Sequence, residues 1–451
     1  MPQFNIPDEV KEILKIFEGE NFEIYIVGGA VRDLLMGKIP SDWDFTTNAN
    51  PEKILEILGE DAFYDNKFGT VGLPSKENLD PFEITTYRTE SGYEDARHPT
   101  NVKWGKSLDE DLERRDFTIN AMALNKNLEV IDPYKGHIDL DKKIIKAVGN
   151  PTERFTEDAL RMMRAVRIAA QLNFRIEEKT FEAIISNSIL ITKISKERIK
   201  EELFKIISSN HPSEGILMLK DSGLLEIILP EVYKMFGVEQ KSPGRHHIYD
   251  VGTHCLMALK FCDSNDPIVR FATLIHDIGK PQTMKKLATG TITFYNHEVV
   301  GTFIAERIAD RLKFSKHEKE KLLKLVRWHQ FTVNEFQTDA AIRRFIKHVG
   351  AENLDDMLIL RTADRLGSGS KETSWRTEDF KKKLIEIQKE PFAIKDLKIN
   401  GSDVMKELNL KPGPEVGKIL EELFKEVVEK KIENTKENLL NQIRLKSNSL
   451  K

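Results

Sequence analysis

Cysteine is almost missing from this chain, with only Cys255 and Cys262 among 451 residues. That excludes a disulfide framework and leaves no thiolate set for a zinc site, so both are read as inert packing residues. Long apolar stretches are missing too: no run reaches the ~18 residues that a membrane-spanning helix needs. The opening MPQFNIPDEVKEILKIF lacks a basic-then-apolar leader pattern, so cytoplasm is the expectation and no membrane partner is foreseen. A large excess of positive charge is absent as well. The formal net charge of -4 excludes a histone-like sheath, although local patches can still bind nucleic acid. What is present is 40% hydrophobic and 31% charged residues, a globular balance, in a chain long enough for roughly three domains at ~150 residues each.

The strand-like and helical patterns are unevenly distributed. Ile24-Tyr25-Ile26-Val27 is a short apolar run closed by Gly28-Gly29, and Phe82 to Tyr87 is rich in β-formers. The first part therefore reads as α/β. After Pro151 the strand patterns vanish and apolar residues recur at helical spacing. Breaks near Asn210-His211-Pro212 and from Gly367 to Ser374 suggest further junctions. The division is a head at 1–148, a neck at 149–210, a body at 211–370 and a tail at 371–451. No internal repeat is evident, and the basic clusters at 313–324 and Lys381-Lys382-Lys383 read as solvated helix faces.

Residues 24–47, IYIVGGAVRDLLMGKIPSDWDFTT, predict a strand, a Gly-Gly turn, a helix, and then Asp42-Trp43-Asp44 entering a second strand. Residues two apart in a strand share a face, so Asp42 and Asp44 project together while Trp43 points away. Two carboxylates ~4 Å apart at an effective dielectric of ~20 repel by roughly 4 kcal/mol, and so require a cation or a shared proton. Mg²⁺ prefers one or two carboxylates with substrate phosphates completing its shell, which describes a nucleoside triphosphate site. Glu83 adds a third carboxylate if its strand lies alongside. In two-metal catalysis one ion activates the attacking hydroxyl and the other steadies the leaving pyrophosphate. Gly28 and Gly29 let the backbone approach phosphate, and the helix that follows offers free N–H groups with Arg32 nearby. Taken singly, Gly-Gly is a tight turn and Asp-x-Asp a strand edge; together, in this order, they point to nucleotide chemistry.

GGAVRDLLMG followed by SDWDF resembles the first signature of the polymerase-beta-like nucleotidyltransferases, specifically the class II CCA-adding enzyme and poly(A) polymerase family. RRDFTINAMA at 114–123 resembles that family's second motif, and DPYKGHIDL at 132–140 its hinge motif. The resemblance implies a mixed-sheet α/β head followed by an all-α neck, body and tail, acting on tRNA with CTP and ATP. It also implies that Asp42 and Asp44 hold Mg²⁺ and that Arg115 and Asp116, with Asn120, meet the incoming nucleotide. Without the resemblance, Arg114 to Asp116 reads as a surface salt-bridge cluster.

An enzyme that adds a fixed sequence without a template must read bases with its own side chains. In FTEDALRMMRAVR, 155–167, helical spacing sets Asp158 beside Arg161, with Arg164 one turn further along the row. An Asp acceptor next to an Arg fork matches the edge of cytosine or adenine, which pairs an exocyclic amine with a ring acceptor. An ordinary surface ion pair is the alternative. The row Arg161, Arg164, Arg167 is all cationic, and the block resembles the family's base-reading motif. In ISKERIKEELFKII, 194–207, Arg198 and Glu201 are expected to brace the neck. The segment 86–104 is polar, contains Gly and Pro, and reads as a mobile loop with Arg88, Asp95 and Arg97 as its working residues. By resemblance, such a loop favours full CCA addition over CC-only addition.

In the body, FATLIHDIGK carries an adjacent His276-Asp277 pair on an apolar helix, costly to bury unless a cation receives it. With His254 and Asp364 the set resembles the metal ligands of HD phosphohydrolases, with His297 and His329 as candidates for a second ion. Mixed imidazole and carboxylate donors suit Mn, Ni, Fe, Zn or Mg. The expectation is a phosphohydrolase or cyclic phosphodiesterase, set against a body kept only as an RNA scaffold. In the tail, Pro412-Gly413-Pro414 opens a helix whose N–H groups either grip an RNA phosphate or simply cap. Rival readings are a CC-only or A-only adding enzyme, a poly(A) polymerase, and an HD phosphohydrolase whose head merely binds nucleotide or RNA.

Overall fold

The computed structural model describes residues 4–64, 69–75, 80–93, 99–105, 107–240, 249–331, 338–388, 394–429 and 431–449. By backbone packing the chain divides into two units, 1–327 with 359–370, and 328–358 with 371–451.

The first unit begins with a mixed sheet. Its strands are β1 (Ile24–Val27), β2 (Asp44–Thr47), β3 (Phe63–Tyr64), β4 (Thr70–Leu73) and β5 (Phe82–Thr86). An antiparallel ribbon of β6 (Arg88–Tyr93) and β7 (Pro99–Trp104) follows, and β8 (Ala123–Leu124) and β9 (Val130–Ile131) complete the set. The sheet order is β3-β4-β5-β2-β1-β8-β9, with β2 parallel to β5 and antiparallel to β1. The segment read as a loop is thus a two-stranded ribbon over its described part: alternating Thr, Tyr and Val give it strand character despite its polarity.

Apolar residues of the Asp8–Gly19, Gly29–Leu35 and Pro51–Leu58 helices pack on one sheet face with Ile24, Ile26, Trp43, Phe45, Phe82 and Ile84. Burying a side chain of this size contributes roughly 2–3 kcal/mol, so Trp43 strongly disfavours a one-residue slip that would turn Asp42 and Asp44 into this core. Phe45 and Phe82 meet edge to face at 6.2 Å between ring centroids, pinning β2 to β5. The opposite face carries Val27 and Ala123 under Leu108 and Leu112 of the Leu108–Glu113 helix.

The remainder of this unit is mainly helical. Strands do not vanish after Pro151, however: β10 (Ile144–Ile145) pairs in parallel with β11 (Arg175–Ile176), and β12 (Lys285–Lys286) forms a hairpin with β13 (Ile292–Thr293). Both are too short to show a period in the sequence. The neck helix breaks where continuous helical spacing was expected. Pro151–Glu157 ends at Asp158, whose backbone is extended (φ -137, ψ 105), and Leu160–Leu172 then starts afresh. The second unit holds the Asp339–Val349, Trp375–Gln388, Gly401–Leu408, Pro414–Val428 and Lys436–Ser449 helices. Among the described residues no helix is long and apolar enough to cross a membrane.

Candidate active site

β2 begins at Asp44, so Asp42 stands in the bend before it rather than in the strand. The alternation survives: Trp43 is buried, Asp42 is exposed and Asp44 half-buried. Asp44 pairs in register with Val27 of β1 and with Glu83 of β5. Neighbouring residues in register share a face, so Glu83 presents a carboxylate on the same side as Asp44. Burial, followed by the nearby charge of Asp42, raises the Asp44 pKa, while Arg115 opposes the rise. Asp42, though exposed, is raised by partial desolvation and by Asp80, with Asp33 adding to the effect. Asp33 and Asp80 were not anticipated from the sequence. Asp42 and Asp44 are hard oxygen donors under mutual repulsion, which suits a hard divalent ion, although with Glu83 they do not bring three ligand atoms within 4.8 Å of one another.

Gly28 caps the Gly29–Leu35 helix with a φ of 73 that L side chains rarely adopt, and leaves little room for a side chain. An added Cβ would lie 3.2 Å from Arg115 Nη1 and 3.3 Å from Asp44 Oδ2. The glycine therefore brings backbone, guanidinium and carboxylate into one place. Arg32 donates through Nε to Asp33 (2.8 Å) and through Nη1 to Asn120 Oδ1 (3.1 Å). Asn120 Nδ2 donates to Asp116 Oδ1 at 3.3 Å, and Asp116 Oδ2 accepts Arg164 Nε at 2.7 Å. Six of the expected nucleotide-binding residues thus fall into two sets, Gly28–Arg115 and Arg32–Asn120–Asp116–Arg164. A Cβ added at Gly29 would lie 3.5 Å from Arg32 Nη2.

The neck arginines are not an open cationic row. Arg161 Nη1 donates to Glu157 at 2.6 Å, Arg164 reaches Asp116, and Arg167 pairs with Glu202 at 3.3 Å. Asp158 does not lie beside Arg161 on one helix. Its Oδ1 accepts the Leu160 amide and its Oδ2 accepts Arg198 Nη2, both bonds that the helix break permits. Arg198 braces the neck as expected, whereas Glu202, not the exposed Glu201, is the buried glutamate of that helix. Arg88 opens β6 and is partly buried; Asp95 and Arg97 lie outside the described residues.

A second cluster forms in the body. His254 sits on the Val251–Lys260 helix, His276-Asp277 follows Pro267–Ile275, and Asp364 lies in Leu354–Gly367. His254 Nε2 is 3.2 Å from His276 Nε2, 3.1 Å from Asp364 Oδ1 and 3.5 Å from Asp277 Oδ2. His276 Nδ1 points at the Thr273 carbonyl (2.8 Å), so that nitrogen is the donor and Nε2 is the one turned toward the cluster. His297 repeats the device, with Nδ1 to the Phe294 carbonyl and Nε2 3.2 Å from Asp277 Oδ1. Ligand-capable atoms of His254, His276 and Asp277 lie within 4.8 Å of one another. The donor set fits a borderline divalent ion. His329 is buried in the second unit. Sequence reading overlooked Lys280, whose ammonium sits 2.6 Å from Asp277 Oδ2, although HDIGK places it at i+3.

The CCA-adding enzyme of Ligilactobacillus salivarius is 35% identical over 441 residues, covering 97% of this chain and 96% of its own. The chain belongs to the CCA-adding enzyme family. The Streptococcus thermophilus member is 32% identical over 438 residues, 96% of each chain. Family models match residues 24–146 (Poly A polymerase head domain), 173–235 (RNA and SrmB binding site of polymerase A) and 299–443 (tRNA nucleotidyltransferase domain 2). Among solved structures, the Bacillus stearothermophilus CCA-adding enzyme in complex with CTP superposes with a TM-score of 0.71 at 25% identity, covering 98% of this chain and 97% of its own. In this family member, the strand end bearing Asp44 and the Gly28 turn occupy the head.

Proposed function

We propose that this chain completes the 3′ end of tRNA by transferring two CMP and one AMP from CTP and ATP, with release of pyrophosphate at each step. The observation that carries the reading is Asp44 and Glu83 in register on adjacent strands, with Asp42 alongside and Arg115 against Gly28. Mg²⁺ bound by Asp42, Asp44 and Glu83 would supply activation of the terminal ribose hydroxyl and charge neutralisation on the leaving pyrophosphate. Arg115 and Arg32 orient the triphosphate, and Gly28 lets it approach the backbone. Asp158, Arg161 and Arg164 address the base. Their charges are already engaged by Arg198, Glu157 and Asp116, so base reading requires an exchange of partners. The segment 86–104 with Arg88, Asp95 and Arg97 favours completion of CCA, the tail helix at Pro414 clasps tRNA phosphate, and the cytoplasm is the working compartment.

Incubation with tRNA lacking its last three nucleotides, Mg²⁺, CTP and ATP, followed by sequencing of the product ends, tests the reading. CCA is the expected product. CC alone, A alone or an adenylate tract would instead assign one of the rival activities.

The convergence of His254, His276, Asp277 and Asp364 favours a second activity, metal-dependent hydrolysis of phosphoesters in the body. Assays on 2′,3′-cyclic phosphates with Mg²⁺, Mn²⁺, Ni²⁺, Fe²⁺ or Zn²⁺ are expected to show ring opening with at least one ion, lost in His254→Ala. Absence of turnover with every ion would leave the body as a scaffold.

A further inference from the structure

Asp111 is wholly buried, yet none of the chemistry above uses it. It lies in the Leu108–Glu113 helix, started by Ser107, whose side chain accepts the Glu110 amide. Its Oδ1 accepts Arg114 through Nε (3.0 Å) and Nη2, and its Oδ2 accepts Arg115 Nη2 at 3.1 Å. The other arm of Arg115 ends at Gly28: a Cβ added there would lie 3.2 Å from its Nη1 and 3.3 Å from Asp44 Oδ2, and the guanidinium and that carboxylate form no ion pair. Arg115 is therefore strung between two acids, one buried behind it and one at the transfer site. The neck holds the same turn from outside: Arg161 Nη2 donates to the Arg114 carbonyl at 3.0 Å, and Arg154 Nη1 to the Glu113 carbonyl at 3.3 Å.

A guanidinium keeps its charge at any working pH and binds carboxylates bidentately when it can. If nothing restrained its inner edge, Arg115 would close on Asp44 and cancel the charge that attracts a divalent ion. Burial disfavours the charged form of Asp111, but Arg115 and Arg114 outweigh that and hold its pKa below the usual carboxylate range. It is thus an anion at neutral pH.

We infer that Asp111 is a positioning residue for nucleotidyl transfer: by gripping the inner edge of Arg115 it keeps the guanidinium off Asp44, leaving Asp44 for a divalent ion and Arg115 for triphosphate. The inference rests on the function proposed for the head.

The test is Asp111→Asn in the full chain, which keeps the shape and removes the charge. CMP incorporation onto tRNA lacking CCA is measured against Mg²⁺ and against CTP, with thermal melting to establish folding. The Mg²⁺ needed for half-maximal rate and the KM for CTP are expected to rise several-fold, the KM for tRNA to stay unchanged, and Asp111→Glu to restore much of the loss. A folded Asn variant with the parent's Mg²⁺ and CTP dependence would overturn the inference, as would an equal rise in the tRNA KM. If the Asn variant does not fold, Arg114→Gln serves instead. It leaves Asp111 to Arg115 alone, so the Mg²⁺ requirement should hold or fall, and a rise would overturn the inference. A parent that incorporates nothing overturns the proposed function together with this inference; a normal parent matched by its variant overturns this inference alone.

Discussion

Replacing Asp44 by Asn should lower nucleotide incorporation by at least about a thousandfold, equivalent to about 4 kcal/mol of transition-state stabilisation, without lowering the melting temperature. The two halves of this expectation come from one observation. Asp44 is half-buried beside Asp42, and both burial and that neighbour push its pKa up. A group whose folded pKa is raised above its unfolded value costs stability once pH exceeds the unfolded value, so an uncharged amide at neutral pH leaves the fold as stable or more so. The same amide is a poor ligand for a hard cation, and it leaves Glu83 and Asp42 to hold that cation alone. Primer extension on tRNA ends with CTP and ATP measures the loss; circular dichroism measures the melting. A variant that retained a tenth of the parent rate would remove Asp44 from the chemistry. Absence of incorporation in the parent would favour the phosphohydrolase whose head only binds nucleotide.

How much of this was legible in the sequence depends on the range of the interactions involved. The strand, turn and helix through Gly28 are local: a short apolar run, a positive-φ glycine and an amphipathic turn, each readable from a few residues. The alternation of Asp42, Trp43 and Asp44 was also readable, because Trp43 supplies the burial that orients its neighbours even though the strand starts two residues later than the spacing implied. The break at Asp158 was not. ERFTEDALRMMR keeps helical spacing throughout, and the bond that favours an extended Asp158 comes from Arg198, forty residues away. The partners of Arg161, Arg164 and Arg167 were hidden for a similar reason, since Asp116 and Glu202 arrive from other elements. Asp111 is a different case. Its i+3 and i+4 relation to Arg114 and Arg115 was visible, but only burial distinguishes it from a solvated ion pair. In the body, the adjacent His276 and Asp277 announced themselves by closing an apolar helix rather than, as the spacing implied, lying on it, whereas the role of Lys280 needed coordinates.

Asp116→Ala should destabilise the chain by about 3 kcal/mol at neutral pH, because it removes a buried acceptor on which several donors converge. Asp116 is 7% exposed. It accepts Arg164 Nε at 2.7 Å, its own neighbour's amide at Phe117 (2.8 Å), and Asn120 Nδ2 at 3.3 Å. Burial alone would raise its pKa, but Arg164, then Arg161 and Asn120, bring it down to about 2 from an ordinary 3.8. A depressed folded pKa means stability that is fully present above the unfolded value and is lost as pH falls through the folded one. A shift of this size is worth about 2.5 kcal/mol, so the gap between parent and variant should be constant from pH 7 down to about 4 and should narrow between about 4 and 2. Denaturant unfolding at pH 7, 4 and 2.5 measures this, and a gap of equal size at all three would show that the Arg164 pair contributes nothing to holding head and neck together. Activity should fall as well, through a different route. With Asp116 gone, Asn120 loses the acceptor that orients its amide and Arg32 is held through Asn120 less firmly, so the KM for CTP should rise more than kcat falls.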